Sequence, residues 1–236
     1  MIYEPSTDDE LTPGQRPTRR TVMKASLAGA AAVGLTAGLT TAGLSSANAA
    51  AVAPIGGVRP LTPQCTDGDD THPLMEGPYF EAGSPEQTNL VINGVTGVLL
   101  DLTGVVYDEQ CKPVAHALLD FWQADKDGNY DNTGYTLRGH QYTNDQGQYT
   151  LHTIIPRYYT DAQTGTRCPH IHVKAQAPNA ELLTTQLFFT DDVQAYGMDM
   201  ASLNAQDTII DRACNITTTA NGSNYTGVFD FVIKTS

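Results

Sequence analysis

The chain has 236 residues, with 26 acidic against 13 basic side chains and a formal net charge of -13. That balance excludes a surface built to grip nucleic acid and disfavours docking on anionic lipid, because both need a surplus of Lys and Arg. Gly (21) and Pro (13) are too few for a collagen-like or low-complexity chain, and the length fits one domain with appendages.

The first element in the chain is an address. Arg19-Arg20 and Lys24 precede an uncharged, Ala- and Gly-rich run from Ala25 to Leu44, and Ala47-Asn48-Ala49 follows it. A charged region, an apolar run and an A-x-A site predict a secretory signal, here of the twin-arginine type. The expectation is export by the twin-arginine machinery to the periplasm or beyond, with cleavage near Ala49 and no stable membrane anchor. Residues 1 to 49 carry four acidic and four basic groups, so the remainder keeps the charge of -13. Residues 50 to 73 hold four prolines and no periodic pattern, and read as an extended arm. The cysteines are Cys65, Cys111, Cys168 and Cys214. Outside the cytoplasm an even number favours disulfides, with three pairings open; the absence of C-x-x-C argues against zinc.

Residues 74 to 236 read as one domain. Short β-branched and apolar runs alternate with turn residues: Val98 to Val106, Ala117 to Gln123, Tyr149 to Ile155, His170 to Ala175, Thr184 to Phe189 and Gly227 to Lys234. This spacing predicts an all-β sandwich or barrel. A short helix is expected around Ser202 to Ile210. No phosphate loop and no G-x-S-x-G elbow occurs.

His170-Ile171-His172 carries the first hint of chemistry. Alternate residues of a strand share a face, so both imidazoles point one way and together suit a borderline metal. An H-x-H pair alone is also an ordinary polar pair on a strand, so context must decide. No H-E-x-x-H completes a site; the neighbourhood offers tyrosines instead, at 130, 135, 142, 149, 158 and 159. A phenol becomes a good ligand only when a strongly charged cation displaces its proton, and ferric iron can do so.

Several stretches carry a family likeness. They are Met75-Glu76-Gly77-Pro78-Tyr79-Phe80, Gly104-Val105-Val106-Tyr107-Asp108, Asp120-Phe121-Trp122-Gln123-Ala124-Asp125 with Gly128-Asn129-Tyr130, Thr153 to Tyr159, Arg167-Cys168-Pro169-His170-Ile171-His172 and Leu183 to Phe189. In this order they resemble the intradiol ring-cleavage dioxygenases. The resemblance implies a β-sandwich core with long loops and little helix. It implies a mononuclear non-haem Fe3+ held by Tyr130, Tyr159, His170 and His172, with Tyr158 as the competing assignment for Tyr159. It assigns Arg167, Tyr159 and Gln186 to catalysis and Gly77, Pro78 and Trp122 to the substrate pocket. In the protocatechuate enzymes of the family the Gly-Pro piece comes from a partner subunit. The implied reactants are a small aromatic diol and O2. Arg157, Thr160 and Cys168 depart from the usual family pattern beside the metal, which bears on the substrate more than on the metal.

Two rivals remain at this stage. A secreted transthyretin-like sandwich would share residues 104 to 160 but would not need Arg167 to His172 or Gln186. A member that has lost activity would keep the fold. A copper oxidase would need further His or a Cys-Met set. The substrate, the oligomer (a homo-oligomer among the options) and the pathway stay open, although the overall negative field leans toward neutral catechols over carboxylated ones.

Overall fold

The structure is a computed structural model that describes Cys65 and residues 70–236. All of these belong to one unit, Gly57–Ser236. The signal segment and most of the proline-bearing arm lie outside the described residues. From residue 70 onward the described elements follow in chain order: β1 (Leu99–Tyr107), β2 (Leu118–Gln123), β3 (Arg138–Tyr142), β4 (Gln148–Ile154), β5 (Tyr159–Asp161), β6 (Gly165–Arg167), β7 (His170–Gln176), β8 (Leu183–Phe189), the short helix α1 (Met200–Gln206), a 3-10 turn (Arg212–Cys214), β9 (Asn215–Asn221), β10 (Asn224–Val228) and β11 (Phe231–Val232).

The main sheet runs β11-β1-β10-β9-β8-β7-β2-β3, with β4 on the other edge of β1. Strand β1 is the hub. Its first half alternates in the manner of a half-buried strand, Leu100 and Leu102 inward and Asp101 outward. It pairs antiparallel with β4, then parallel with β10 and β11 in succession. A parallel pair, Phe188↔Asn215 and Phe189↔Ile216, joins the β1 half of the sheet to the β7 half. Inward side chains of both halves, among them Leu100, Leu102, Leu119, Phe121, Val173 and Phe188, form one core cluster. Each such buried side chain contributes about 1.5–3 kcal/mol of transfer free energy. This is the all-β architecture expected, with little helix.

The far end of β1 is covered on its outer face as well. Val105 and Tyr107 pack there with Cys65 and Val232, and Cys65 is joined to Cys111 by a disulfide. Cys168 and Cys214 are free and buried, where a thiol serves as a small apolar side chain. Among the four cysteines the expectation of disulfides therefore holds for one pair. Gly104 is required where β1 meets the chain again: a Cβ there would sit 1.7 Å from the Phe229 carbonyl oxygen.

Several boundaries differ from the sequence expectation. The run Gly227 to Lys234 is not one strand. It breaks at Phe229-Asp230, where Phe229 N–H donates to Thr103 O (3.1 Å) and the Asp230 carboxylate accepts from Val105 N–H (2.7 Å). The helix begins earlier than expected because Asp199 caps it, accepting from Ser202 N–H at 3.1 Å. It stops at Asp207, whose backbone is extended and whose side chain is committed elsewhere.

Candidate metal and substrate site

Strand β7 carries His170 and His172, both buried. Their Nε2 atoms converge to 3.1 Å. His170 Nδ1 lies 2.6 Å from Cys168 O, a contact that needs a proton on Nδ1 and so leaves Nε2 as a lone-pair donor. Burial, reinforced by Arg167, lowers the His170 pKa to about 3. Burial and the neighbouring His170 push His172 well below the ordinary imidazole value. Both rings are therefore neutral at pH 7, the form in which imidazole binds a metal.

Two tyrosines close the other side. Tyr130 ends the turn Asp125 to Asn129, which Asp125 organises by accepting from Asp127 N–H (2.8 Å) and Asn129 N–H (2.9 Å). Gly128, at φ +86°, lets this turn press on the segment before β5, since a Cβ would lie 2.6 Å from Tyr158 O. Tyr159 opens β5. Its ring lies 5.5 Å from that of Tyr130 and 5.7 Å from that of His170. Tyr130 and His172 are 6.1 Å apart, and the two histidines 4.7 Å. The four rings thus form one cluster. Tyr158 lies outside it, packed against the core with Arg157 over its ring.

The Tyr130 hydroxyl is buried beside that of Tyr159, without a well-formed hydrogen bond. Its phenol is held well above pKa 10 by burial and then by the neighbouring Tyr159. Burial also pushes Tyr159 up to about 12, with Arg167 pulling the other way. A buried polar atom without a well-formed bond is costly. Two converging imidazole nitrogens, a poorly bonded phenol and a second phenol beside them fit a strongly charged cation, which would displace the phenol protons. Among the described residues no group of three His, Cys, Asp or Glu could hold a metal, so a metal here depends on the tyrosines.

Arg167 ends β6 and is 1% exposed. Its Nε donates to Asp207 Oδ2 at 3.1 Å, and its Nη2 donates to Gln186 Oε1 at 2.6 Å. Asp207 also accepts from Cys168 N–H and Ile209 N–H, both at 2.9 Å. Burial works against its charge, but the Ile209 N–H, Arg167 and Cys168 together keep its carboxyl below the ordinary value. Arg167 is therefore a buried, neutralised cation rather than a surface charge. Gln186 passes the contact on, donating to Met75 O at 2.8 Å. The glutamine thus orients Arg167 and anchors the segment that carries Gly77 and Pro78.

Gly77 and Pro78 reach the cluster from the same chain. Gly77, at φ +73°, would place a Cβ 3.3 Å from His172 Cε1. A cavity of about 320 Å³ opens between Met75, Gly77 and Pro78 on one side and Tyr159, Arg167 and the β5–β6 hairpin on the other, a volume suited to a small molecule. Trp122 does not border it. Trp122 is buried and stacks on His172 at 4.8 Å with the planes 6° apart, so it fixes the imidazole from behind.

Three site residues have no sequence signal of their own. Tyr79 stacks on Tyr130 at 4.3 Å and meets Tyr159 edge-on at 5.8 Å, a contact that nothing in the Met75–Phe80 stretch announces. Asp207 is 40 residues from Arg167. Arg138, 1% exposed, donates to Tyr79 O at 2.6 Å and to Asp131 O at 2.9 Å. It ties together the two loops that bring the stacked tyrosines into contact. Only the fold brings these residues to the site.

The family model described as "Dioxygenase" matches residues 75–235. Protocatechuate 3,4-dioxygenase alpha chain from Pseudomonas putida is 32% identical over 148 residues, 58% of this chain and 73% of that one. Hydroxyquinol 1,2-dioxygenase from Nocardioides simplex is 29% identical over 144 residues, covering 53% of this chain and 49% of that one. The chain thus spans about half the length of several curated relatives that it matches. Among solved structures, the dioxygenase domain of a dioxygenase carbohydrate-binding protein fusion from Streptomyces sp. SirexAA-E superposes with a TM-score of 0.62 at 43% identity, covering 71% of this chain and all (100%) of that one. By the matched model and these relatives, the chain belongs to the intradiol dioxygenase family.

Proposed function

We propose that the protein is a non-haem ferric dioxygenase. It would cleave a catechol-type ring between its two hydroxyls, with O2, to a muconate-type dicarboxylic acid. The observation that carries this reading is the four-ring cluster with its buried, poorly bonded Tyr130 hydroxyl. Tyr130, Tyr159, His170 and His172 would hold the iron. Once bound, the ion supplies Lewis acidity toward the diol and a route for electrons from the ring to O2.

The chain's own residues do the rest. Of the two phenols, Tyr159 would be the one to act as base toward a bound diol, because it lies on the cavity wall whereas Tyr130 is stacked on Tyr79. A phenol pushed up to about pKa 12 is a strong base as phenolate, and it would take a hydroxyl proton from the diol at its own oxygen. Arg167, fixed by Asp207 and Gln186, offers preorganised donors beside that position, suited to anionic charge developing on the ring. Pro78 and Met75 give the ring an apolar wall. Both atoms of O2 enter the product, so diol plus O2 balances to the dicarboxylic acid with no other reductant.

The test is oxygen uptake by iron-loaded protein with catechol, hydroxyquinol and protocatechuate, together with its colour and iron content. Uptake with one of the diols, a red-brown phenolate-to-iron band and one iron per chain are expected. A colourless protein that ignores ferric salt overturns the metal assignment, and a coloured protein without uptake identifies a family member that has lost activity. Export through the twin-arginine route belongs to the same proposal. Mass spectrometry of the secreted protein should show a start near Ala50, and an intact Met1 in the membrane fraction would contradict it.

A further inference from the structure

The cavity beside Tyr159 has an uneven charge. Asp161 and Arg167 are the charged residues among those lining it. The Arg167 charge is offset by Asp207, with which it forms an ion pair whose side chains are 1% and 0% exposed. Glu76, next to this wall in the chain, is paired with Lys174. The carboxylate of Asp161 has no such cationic partner among its hydrogen bonds. It accepts from Gln163 N–H and Thr164 N–H, both at 2.7 Å, and from the Thr164 hydroxyl. These bonds hold the charge in place at the tip of the β5–β6 hairpin, where it acts electrostatically on both the Tyr159 phenol and Arg167.

We propose that Asp161 is a specificity-determining residue, which sets the charge of the ring substituent this site accepts. The inference rests on the ring-cleavage reading for what the site does, but not for what it binds. A diol chelated beside Tyr159 would direct its substituents into the cavity, against the hairpin. A carboxylate on the ring then meets a net like charge, because Arg167 is already paired with Asp207, an uncharged substituent meets neither penalty nor gain, and an ammonium-bearing substituent meets a counter-charge. The substrate class is a catechol with a neutral or cationic side chain. The overall charge of -13 acts in the same direction at long range but is screened by salt beyond about 10 Å, whereas Asp161 acts from within that distance.

The variant Asp161→Asn removes the charge and keeps the turn, because the amide oxygen still accepts from Gln163 and Thr164 and the amide nitrogen can donate to the Thr164 hydroxyl. Three probes span the charge: protocatechuate (anionic), 4-methylcatechol (neutral) and 3,4-dihydroxybenzylamine (cationic). Binding to the iron-loaded protein is measured by calorimetry and turnover by oxygen uptake. For unit charges ~7 Å apart in a water-like dielectric, as suits a carboxylate open to solvent, the expected shift is about threefold in each direction. Asp161→Asn should raise the protocatechuate-to-methylcatechol ratio by that factor and lower the benzylamine-to-methylcatechol ratio likewise. Asp145→Asn makes the same change in net charge in an exposed turn and should leave both ratios alone. Ratios unmoved by Asp161→Asn, ratios moving together in one direction, or an equal effect from Asp145→Asn would overturn the proposal. If no probe is consumed but the binding ratios still shift in opposite directions as stated, the ring-cleavage reading fails and the selectivity stands. If no probe binds, both fail.

Discussion

Replacing Tyr130 by Phe separates a metal ligand from an ordinary core aromatic by the sign of its effect on stability. The substitution keeps the ring, its 4.3 Å stack on Tyr79 and its edge contact with Tyr159. It removes one buried hydroxyl that lies beside the Tyr159 hydroxyl without good hydrogen-bond geometry. An unsatisfied buried polar group carries a desolvation penalty of about 1–3 kcal/mol. At about 2–4 °C per kcal/mol for a domain of this size, the metal-free variant should melt roughly 2–12 °C above metal-free wild type. With ferric iron present the order should reverse. Wild type then gains the free energy of binding by mass action, and the variant, short of one anionic oxygen, gains little. The assay is a pair of thermal melts, one with chelator and one with ferric salt, read beside the visible spectrum. A metal-free variant that melts lower than metal-free wild type would refute the reasoning, because the hydroxyl would then be making a favourable contact in the absence of metal.

Other expectations follow from the same contacts. Asp207→Ala strands Arg167 and two backbone N–H groups in the interior, so it should cost about 3–5 kcal/mol in a urea titration; a loss under 1 kcal/mol would contradict the buried pair. Adding Arg167→Met to that variant should recover part of the stability but none of the turnover, which separates the structural from the chemical role of the pair. His170 binds a proton only near pH 3 in the folded protein but near 6.5 when unfolded. Metal-free stability should therefore fall as pH drops through that window, because the unfolded chain binds more protons there; a flat profile between pH 6.5 and 4 would be inconsistent with buried neutral imidazoles. Gly77→Ala places a methyl group 3.3 Å from His172 at a positive φ and should weaken iron retention, measured as metal content after dialysis, with unchanged retention counting against the close approach.

The sequence was legible where local pattern and burial agree. Strands β2, β7 and β8 are apolar runs bounded by turn residues, and each lies within two residues of its expected place. Strand β3, Arg138-Gly-His-Gln-Tyr, has no such run because its buried members are polar or lack a side chain: Arg138 and Gln141 are buried by their hydrogen bonds and Gly139 by close contact. Strand β9 is mostly exposed Thr and Asn, held in place by pairing with β10 and β8 rather than by an apolar face. At the site, the H-x-H spacing needed only the two-residue period of a strand. The bond from Arg167 to Asp207 and the reach of Arg138 to Tyr79 join residues 40 and 59 positions apart, and no local pattern encodes such pairs. The same holds for Gly77 and Pro78, which line the site beside His172 and Tyr159.

The most direct test of the central claim is the fate of isotopically labelled oxygen. Iron-loaded protein given a catechol under 18O2 should yield a dicarboxylic acid that carries both labelled atoms in one molecule. A product with a single label, a quinone, or no oxygen consumption with any diol would contradict the account.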